Sequence, residues 1–233
     1  MQLRFFGNCA FEWITSSGCK VFIDPFQNSS WSAWFKVKMP HLYPDVVLVT
    51  HPHFDHNAVG ALLGKPQVIT RPGHYRGPDV DIYGIAGRHS RPKQHSWWYR
   101  QLMGYRNTIF VVETEGLRFC HWGDNNSRIS QRVIDALGQI DVLMLPMDGG
   151  EHLLSWPEIE KITGILNPKI LIPMHYRMPG LTTESCPLKT IDDWLALQPR
   201  VRHVPVEGVT LGRRDLDGLP REVWVFKPLL HVE

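Results

Sequence analysis

At 233 residues, with 43% hydrophobic and 21% charged side chains, the chain has the composition of a globular protein large enough for one sizeable core. A net charge of +2 is too small to imply a nucleic-acid partner by itself, and no run approaches the roughly 18 consecutive apolar residues of a membrane span. The opening MQLRFFGNCAFEW lacks the apolar stretch and cleavage site of a secretory leader, so a cytoplasmic location is expected. In that compartment Cys9, Cys19, Cys120 and Cys186, which form no C-x-x-C pair, are expected to be free thiols.

In chain order, short apolar runs separated by Gly, Pro, Asn or Asp read as strands: LRFFG, AFEWI, KVFID, VVLVT, QVIT, VDIYGIA, NTIFVVE and LRFCHW. ETEG between the last two reads as a tight turn, with Gly116 free to take a positive φ. Residues 71–106 are poorly periodic and rich in Arg, Gly, Pro and aromatics, which predicts long loops. SRISQRVIDALGQ then places Ile129, Val133, Ile134 and Leu137 on one helical face, with Gly138 as its stop. SWPEIEKITGILNP predicts a helix capped by Ser155, with Pro157 in its first turn and Pro168 beyond its end. CPLKTIDDWLALQP is a third helical candidate. Between the helices, IDVLMLP and KILIPMH are apolar enough for buried strands. The C-terminal EGVTLGRRDLDGLPREVWVFKP reads as a terminal hairpin. Strands first and β-α alternation later predict a layered α/β sandwich, two sheets inside and helices outside. No repeat or linker divides the chain, so residues 1–233 are expected to form one domain.

The segment THPHFDH gathers His51, His53, Asp55 and His56 just after a predicted strand. Alternate positions in an extended segment point the same way, so His51 and His53 can face one site while the chain turns through Asp55 and His56. One tetrahedral ion could hardly take all four, but two neighbouring ions could share them if other segments complete each shell. His89, Asp124 and His175 each follow a predicted strand, where residues can converge on one edge of a sheet. Five imidazoles and two carboxylates suit zinc, iron or manganese. His121 is expected to hold the Asp124 carboxylate, as metal-bound carboxylates are commonly hydrogen-bonded in turn.

These segments resemble the metallo-β-lactamase fold superfamily along nearly the whole chain. THPHFDH is similar to its T-H-x-H-x-D-H signature, GNCAFEW…KVFIDPF to its opening strands ending in I-D-P, and HWGDNN to its H-x-G-D segment. IDVLMLPMDGG and ILIPMHY resemble its late segments, and the combination looks most like the ascorbate-6-phosphate-lactonase-like branch of metal-dependent hydrolases. The resemblance implies a four-layer αββα sandwich. It also implies that His51, His53 and His89 hold one metal, that Asp55, His56 and His175 hold another, and that Asp124 bridges them. Met147 and Asp148 in PMDGG, and the aromatic-rich insert after His89, depart from the pattern where such proteins vary around the pocket.

The expected chemistry is hydrolysis by a metal-bound hydroxide, generated on one or both of two divalent ions, with zinc first in order and manganese or iron as alternatives. Asp55 is the expected catalytic residue, orienting the water and relaying its proton. Residues 71–106 carry seven Arg or Lys against two acids, interleaved with aromatics. Arg91, Arg100, Trp97 and Trp98 are therefore candidates for binding a small anionic substrate, with 91–107 as a lid. An anionic ester or lactone leads. A phosphodiesterase on phospholipid or nucleotide, or an iron-dependent oxygen-using enzyme, are the alternatives. Charge outside the loop is evenly spread, which argues against an extended nucleic-acid track.

Overall fold

The structure is a computed structural model that describes residues 1–89, 106–149 and 153–230. Two mixed β-sheets pack face to face. The first contains β1 (Gln2–Gly7), β2 (Ala10–Ile14), β3 (Lys20–Ile23), β4 (Val46–Leu48), β5 (Gln67–Ile69) and the short β13 (Val209–Thr210), in the order β13-β1-β2-β3-β4-β5. The second contains β6 (Gly73–Arg76), β7 (Asp81–Arg88), β8 (Arg106–Thr114), β9 (Leu117–His121), β10 (Val142–Pro146), β11 (Ile170–Met174), β12 (Val201–Val204) and β14 (Glu222–Phe226). Its order is β12-β14-β11-β10-β9-β8-β7-β6.

The strands that alternate in sequence turn one face inward. Phe5 on β1 and Phe11 on β2 meet at 4.6 Å between ring centres and both reach Phe226 on β14, at 6.4 and 6.2 Å. Trp13 meets Phe119 across the same interface. These aromatic contacts, each worth about 0.5–1.5 kcal/mol beyond the area they bury, lock the sheets in register. β10 and β11 are buried along their whole lengths and pair in parallel, as their unbroken apolar sequences require.

The connections in this half are helical: α1 (Gln131–Leu137), α2 (Trp156–Leu166) and a single turn, α3 (Asp192–Leu195). Ser130 caps α1, accepting from Val133 N, and the Ser155 N–H at the start of α2 donates to Glu158 Oε2 at 2.9 Å. The β3–β4 and β4–β5 crossovers of the first sheet are irregular chain with one 3-10 turn, Val59–Ala61. The architecture is thus the expected α/β sandwich.

Three local expectations fail. The C-terminal hairpin does not exist: β13 pairs with β1 in the first sheet, whereas β14 crosses to the second and runs parallel to β11 and β12. The third helix is shorter than its pattern, covering only Asp192–Leu195; upstream of it Lys189 O accepts from Arg177 N instead of from a helical turn. Strand β6 lies within the stretch read as loop, paired antiparallel with β7. Cys9, Cys19, Cys120 and Cys186 are free, as expected in the absence of C-x-x-C spacing. Among the described residues no helix is long and apolar enough to cross a membrane.

Candidate metal centre

The site forms where strands of both sheets end. Past β4, Thr50 N and Thr50 Oγ1 donate to Oδ1 and Oδ2 of Asp24, at 2.8 and 2.7 Å, fixing the first turn after the strand. That turn launches His51, His53, Asp55 and His56. Phe54 in the same segment packs edge-on against Trp34, at 5.1 Å between ring centres, and its carbonyl accepts from Gln27 N. The second sheet supplies His89 after β7, Asp124 after β9 and His175 after β11.

The imidazoles converge on Asp124. Its Oδ2 lies 3.3 Å from His89 Nε2, 3.6 Å from His175 Nε2 and 3.7 Å from His51 Nε2, while Oδ1 lies 3.4 Å from His56 Nε2. His53 meets the rings of His51 and His89 at 4.4 and 4.7 Å. Asp55 Oδ2 lies 3.2 Å from Nε2 of both His56 and His175. Every residue singled out as a ligand from the sequence therefore arrives at one place.

Potential ligand atoms fall into two compact groups, each with all its members within 4.8 Å of one another: His51, His53, His89 and Asp124 in one, Cys9, His56, Asp124 and His175 in the other. Asp124 belongs to both. Cys9 was not anticipated, and Asp55 stands beside the second group through its contacts with His56 and His175.

Chemistry of the donor set fits divalent cations. Nε2 of His51 and Oδ1 of Asp124 are buried and make no hydrogen bond, and Nε2 of His56 faces only the carboxylates of Asp55 and Asp124. Leaving such atoms unpaired costs about 1–3 kcal/mol each, a cost that a cation would offset. Their outer atoms are held: His56 Nδ1 lies 2.8 Å from Asp24 Oδ2, and His51 Nδ1 lies 3.0 Å from Thr50 Oγ1, so both rings present Nε2 inward.

Three residues around the site adopt left-handed backbone although none is glycine: Asn8 at φ 51°, Asp24 at 47° and His175 at 53°. Such conformations cost of order 1–3 kcal/mol and persist where surrounding bonds overdetermine them. Here those bonds are visible. His175 N donates to Asn8 O at 2.9 Å, and Asn8 Nδ2 donates to Asp55 O at 2.8 Å. Gly123, at φ 55°, allows the turn before Asp124; a Cβ there would lie 2.5 Å from Asn107 Oδ1 and 2.8 Å from Thr50 Cβ. Asn107 on β8 braces that turn, accepting from Asp124 N and donating to Trp122 O.

His121 is buried beneath the site but does not hold Asp124. Its Nε2 lies 2.9 Å from Cys9 O and its Nδ1 accepts from Gly123 N, so it ties the β1–β2 turn to the β9 end. The backbone of Asp124 is instead held by Asn107. Arg91, Trp97, Trp98 and Arg100, with most of the expected lid, lie outside the described residues. The bracing residues Asn8, Asp24, Thr50 and Asn107 were missed. Asp24 and Thr50 do sit in the quoted segments KVFID and VVLVT, where a polar residue closing a strand was the available signal.

Protonation differs within the cluster. Burial, then the neighbouring His56 charge, lowers His51 well below its ordinary value; burial and His89 lower His53 to about 4. Burial also disfavours charge on His56, but Asp124, Asp55 and Asp24 outweigh it and raise its pKa well above the usual range. His175 is raised likewise by Asp124 and Asp55 against burial. Burial would raise both carboxyls, yet the imidazoles hold Asp55 and Asp124 well below the ordinary range. Burial, followed by Asp124, Asp24 and Asp55, pushes the Cys9 thiol well up.

A beta-lactamase superfamily domain model matches residues 2–175, well over half of the chain. The chain belongs to the metallo-β-lactamase superfamily. Among relatives of this superfamily, a Thermococcus onnurineus protein named a metal-dependent hydrolase is 27% identical over 197 residues, covering 76% of this chain and 84% of its own. An Enterococcus faecalis protein of the same name is 28% identical over 201 residues, covering 76% and 86%. A crystal structure from Thermotoga maritima, of a protein named as a zinc-dependent hydrolase of the superfamily, aligns with a TM-score of 0.71 at 27% identity over 97% of both chains.

Proposed function

We infer that the chain is a metal-dependent hydrolase working with two divalent ions. His51, His53 and His89 would hold one, Asp55, His56 and His175 the other, with Asp124 between them. The observation that carries this reading is the pair of ligand groups sharing Asp124. The names of the relatives support the hydrolytic class. Zinc suits the imidazole-rich donor set best, with manganese and iron as the alternatives to be separated by elemental analysis.

When bound, such a pair lowers the pKa of a water and polarises the substrate oxygen. The chain's own residues do the rest. Asp55, held ionised by His56 and His175, orients the attacking water and takes its proton at Oδ2. Thr50 and Asp24 keep His51 and His56 turned inward, so substrate meets a fixed constellation rather than one that must reorganise. The proton taken from water is returned to the leaving oxygen as the acyl–oxygen bond breaks.

The substrate class is a small anionic ester or lactone. Support comes from the sequence: seven basic residues against two acidic ones in 71–106, with Trp97 and Trp98 among them. The test is elemental analysis of purified protein together with a screen of anionic lactones, carboxylic esters and phosphodiesters. Two ions per chain, turnover of lactones or esters, and loss of turnover on chelation are expected. Full turnover by metal-free protein would overturn the reading, and exclusive turnover of phosphodiesters would replace the substrate class.

A further inference from the structure

We propose that Cys9 Sγ is a ligand of the inner ion, the one placed with His56, His175 and Asp124. This rests on the two-ion reading and specifies its less symmetrical half.

Cys9 occupies the tight turn between β1 and β2, where Gly7 pairs with Ala10 after a register shift. The turn is bound to the site at three points: Asn8 O accepts from His175 N, Asn8 Nδ2 donates to Asp55 O, and Cys9 O lies 2.9 Å from His121 Nε2. The thiol is therefore delivered to a fixed place by the same bonds that place His175 and Asp55. At that place one ligand atom from each of Cys9, His56, Asp124 and His175 lies within 4.8 Å of every other.

A tetrahedral zinc with nitrogen and oxygen at about 2.0–2.1 Å and sulfur at about 2.3 Å has ligand–ligand edges of roughly 3.3–3.6 Å. The structure shows 3.4 Å from His56 Nε2 to Asp124 Oδ1 and 3.6 Å from His175 Nε2 to the other oxygen, Oδ2, close to such edges, with Cys9 Sγ within 4.8 Å of its three partners. Asp124 Oδ1 is buried without a hydrogen bond, so a cation among the four atoms would meet a carboxylate oxygen that no donor satisfies. Cys120 is equally buried but belongs to no such group, which separates a thiol that only fills core from one aimed at a site.

On binding, the Sγ–H proton passes to solvent as the sulfur–cation bond forms, and no oxidant is required. A thiolate also makes the inner position softer than the outer one, favouring zinc or cobalt over manganese there. Asp55, 3.2 Å from Nε2 of both His56 and His175, would complete the shell.

The experiment is loading of metal-free protein with cobalt(II) under anaerobic conditions, with bound metal counted. Wild type is expected to bind two ions and to show the near-ultraviolet absorption of thiolate-to-cobalt charge transfer. Cys9→Ser should lose that absorption and weaken the inner ion by at least about 10-fold, the lower end of what even an outer hydrogen-bond partner contributes. Cys19→Ser should keep both. Two cobalt ions bound without the absorption, or absorption that survives in Cys9→Ser, overturns the proposal while sparing the two-ion reading. Fewer than two ions with no such absorption overturns both. Should Cys9→Ser fail to fold, zinc X-ray absorption on wild type decides: a sulfur scatterer at about 2.3 Å supports the assignment, and a shell of nitrogen and oxygen alone refutes it.

Discussion

The two halves of the site use the same imidazole and carboxylate chemistry but hold their protons differently. In the outer half, His51 is pushed down by burial and then His56, and His53 by burial and then His89; Asp124 is the one carboxylate in their group. In the inner half, His56 and His175 face Asp55 and Asp124, with Asp24 behind His56, and are pushed up. His51 and His53 stand ready as neutral donors, whereas a cation entering the inner half must first displace protons. What sets the contrast is how closely the carboxylates approach each ring: Asp55 Oδ2 lies 3.2 Å from Nε2 of both His56 and His175.

Removing the residue common to both halves should erase the contrast with the largest effect. Asp124→Ala is expected to bind neither ion stably and to lose more than about 100-fold in activity, beyond the range of outer-partner losses; retention of two ions by elemental analysis would show that the halves do not share it. Asp24→Asn sharpens the difference. It replaces the carboxylate behind His56 with a neutral amide and is expected to cost about 10–100-fold in inner-ion affinity, with a smaller loss at the outer ion, whose His51 it reaches only through Thr50, read by chelator competition.

Gly123→Ala tests whether the shared carboxylate depends on its turn. A β-carbon at positive φ against Asn107 and Thr50 should destabilise the fold by about 1–3 kcal/mol in urea denaturation, and unchanged stability would mean that the turn can relax.

The smallest effect is in pH. For metal-free protein, imidazole NMR should show His53 titrating near 4 and His56 above 6.5. His53 binds its proton more weakly folded than unfolded, so its contribution raises stability as pH climbs from about 4 to 6.5. His56 has the opposite sign: its contribution is fully present below 6.5 and is lost as pH rises through its raised folded value. Identical titration of the two rings would abolish the comparison.

Much of this was legible in the sequence, for identifiable reasons. THPHFDH concentrates four donors in six residues, and His89, Asp124 and His175 each follow an apolar run long enough to read as a strand, so convergence could be argued before any coordinates. The apolar runs of β1 and β2 read as strands, and the unbroken runs of β10 and β11 as buried ones. Partner choice was not legible. EVWVF reads as a strand, but nothing local says that it joins β11 rather than the neighbouring β13. Nor was β12 visible, because VRHV has too few apolar residues to reveal a period. Cys9 and Asn8 escaped notice because single polar residues in a tight turn look like turn chemistry until the fold brings His175 to them.

The donors come from loops of both sheets, His51 to His56 from one and His89, Asp124 and His175 from the other. A cation seated there acts as a rivet through the sandwich, closing a long stretch of chain much as a crosslink would. The melting temperature should therefore climb with the logarithm of free metal, and starving the protein of metal should loosen the seam between the sheets as well as silence the chemistry.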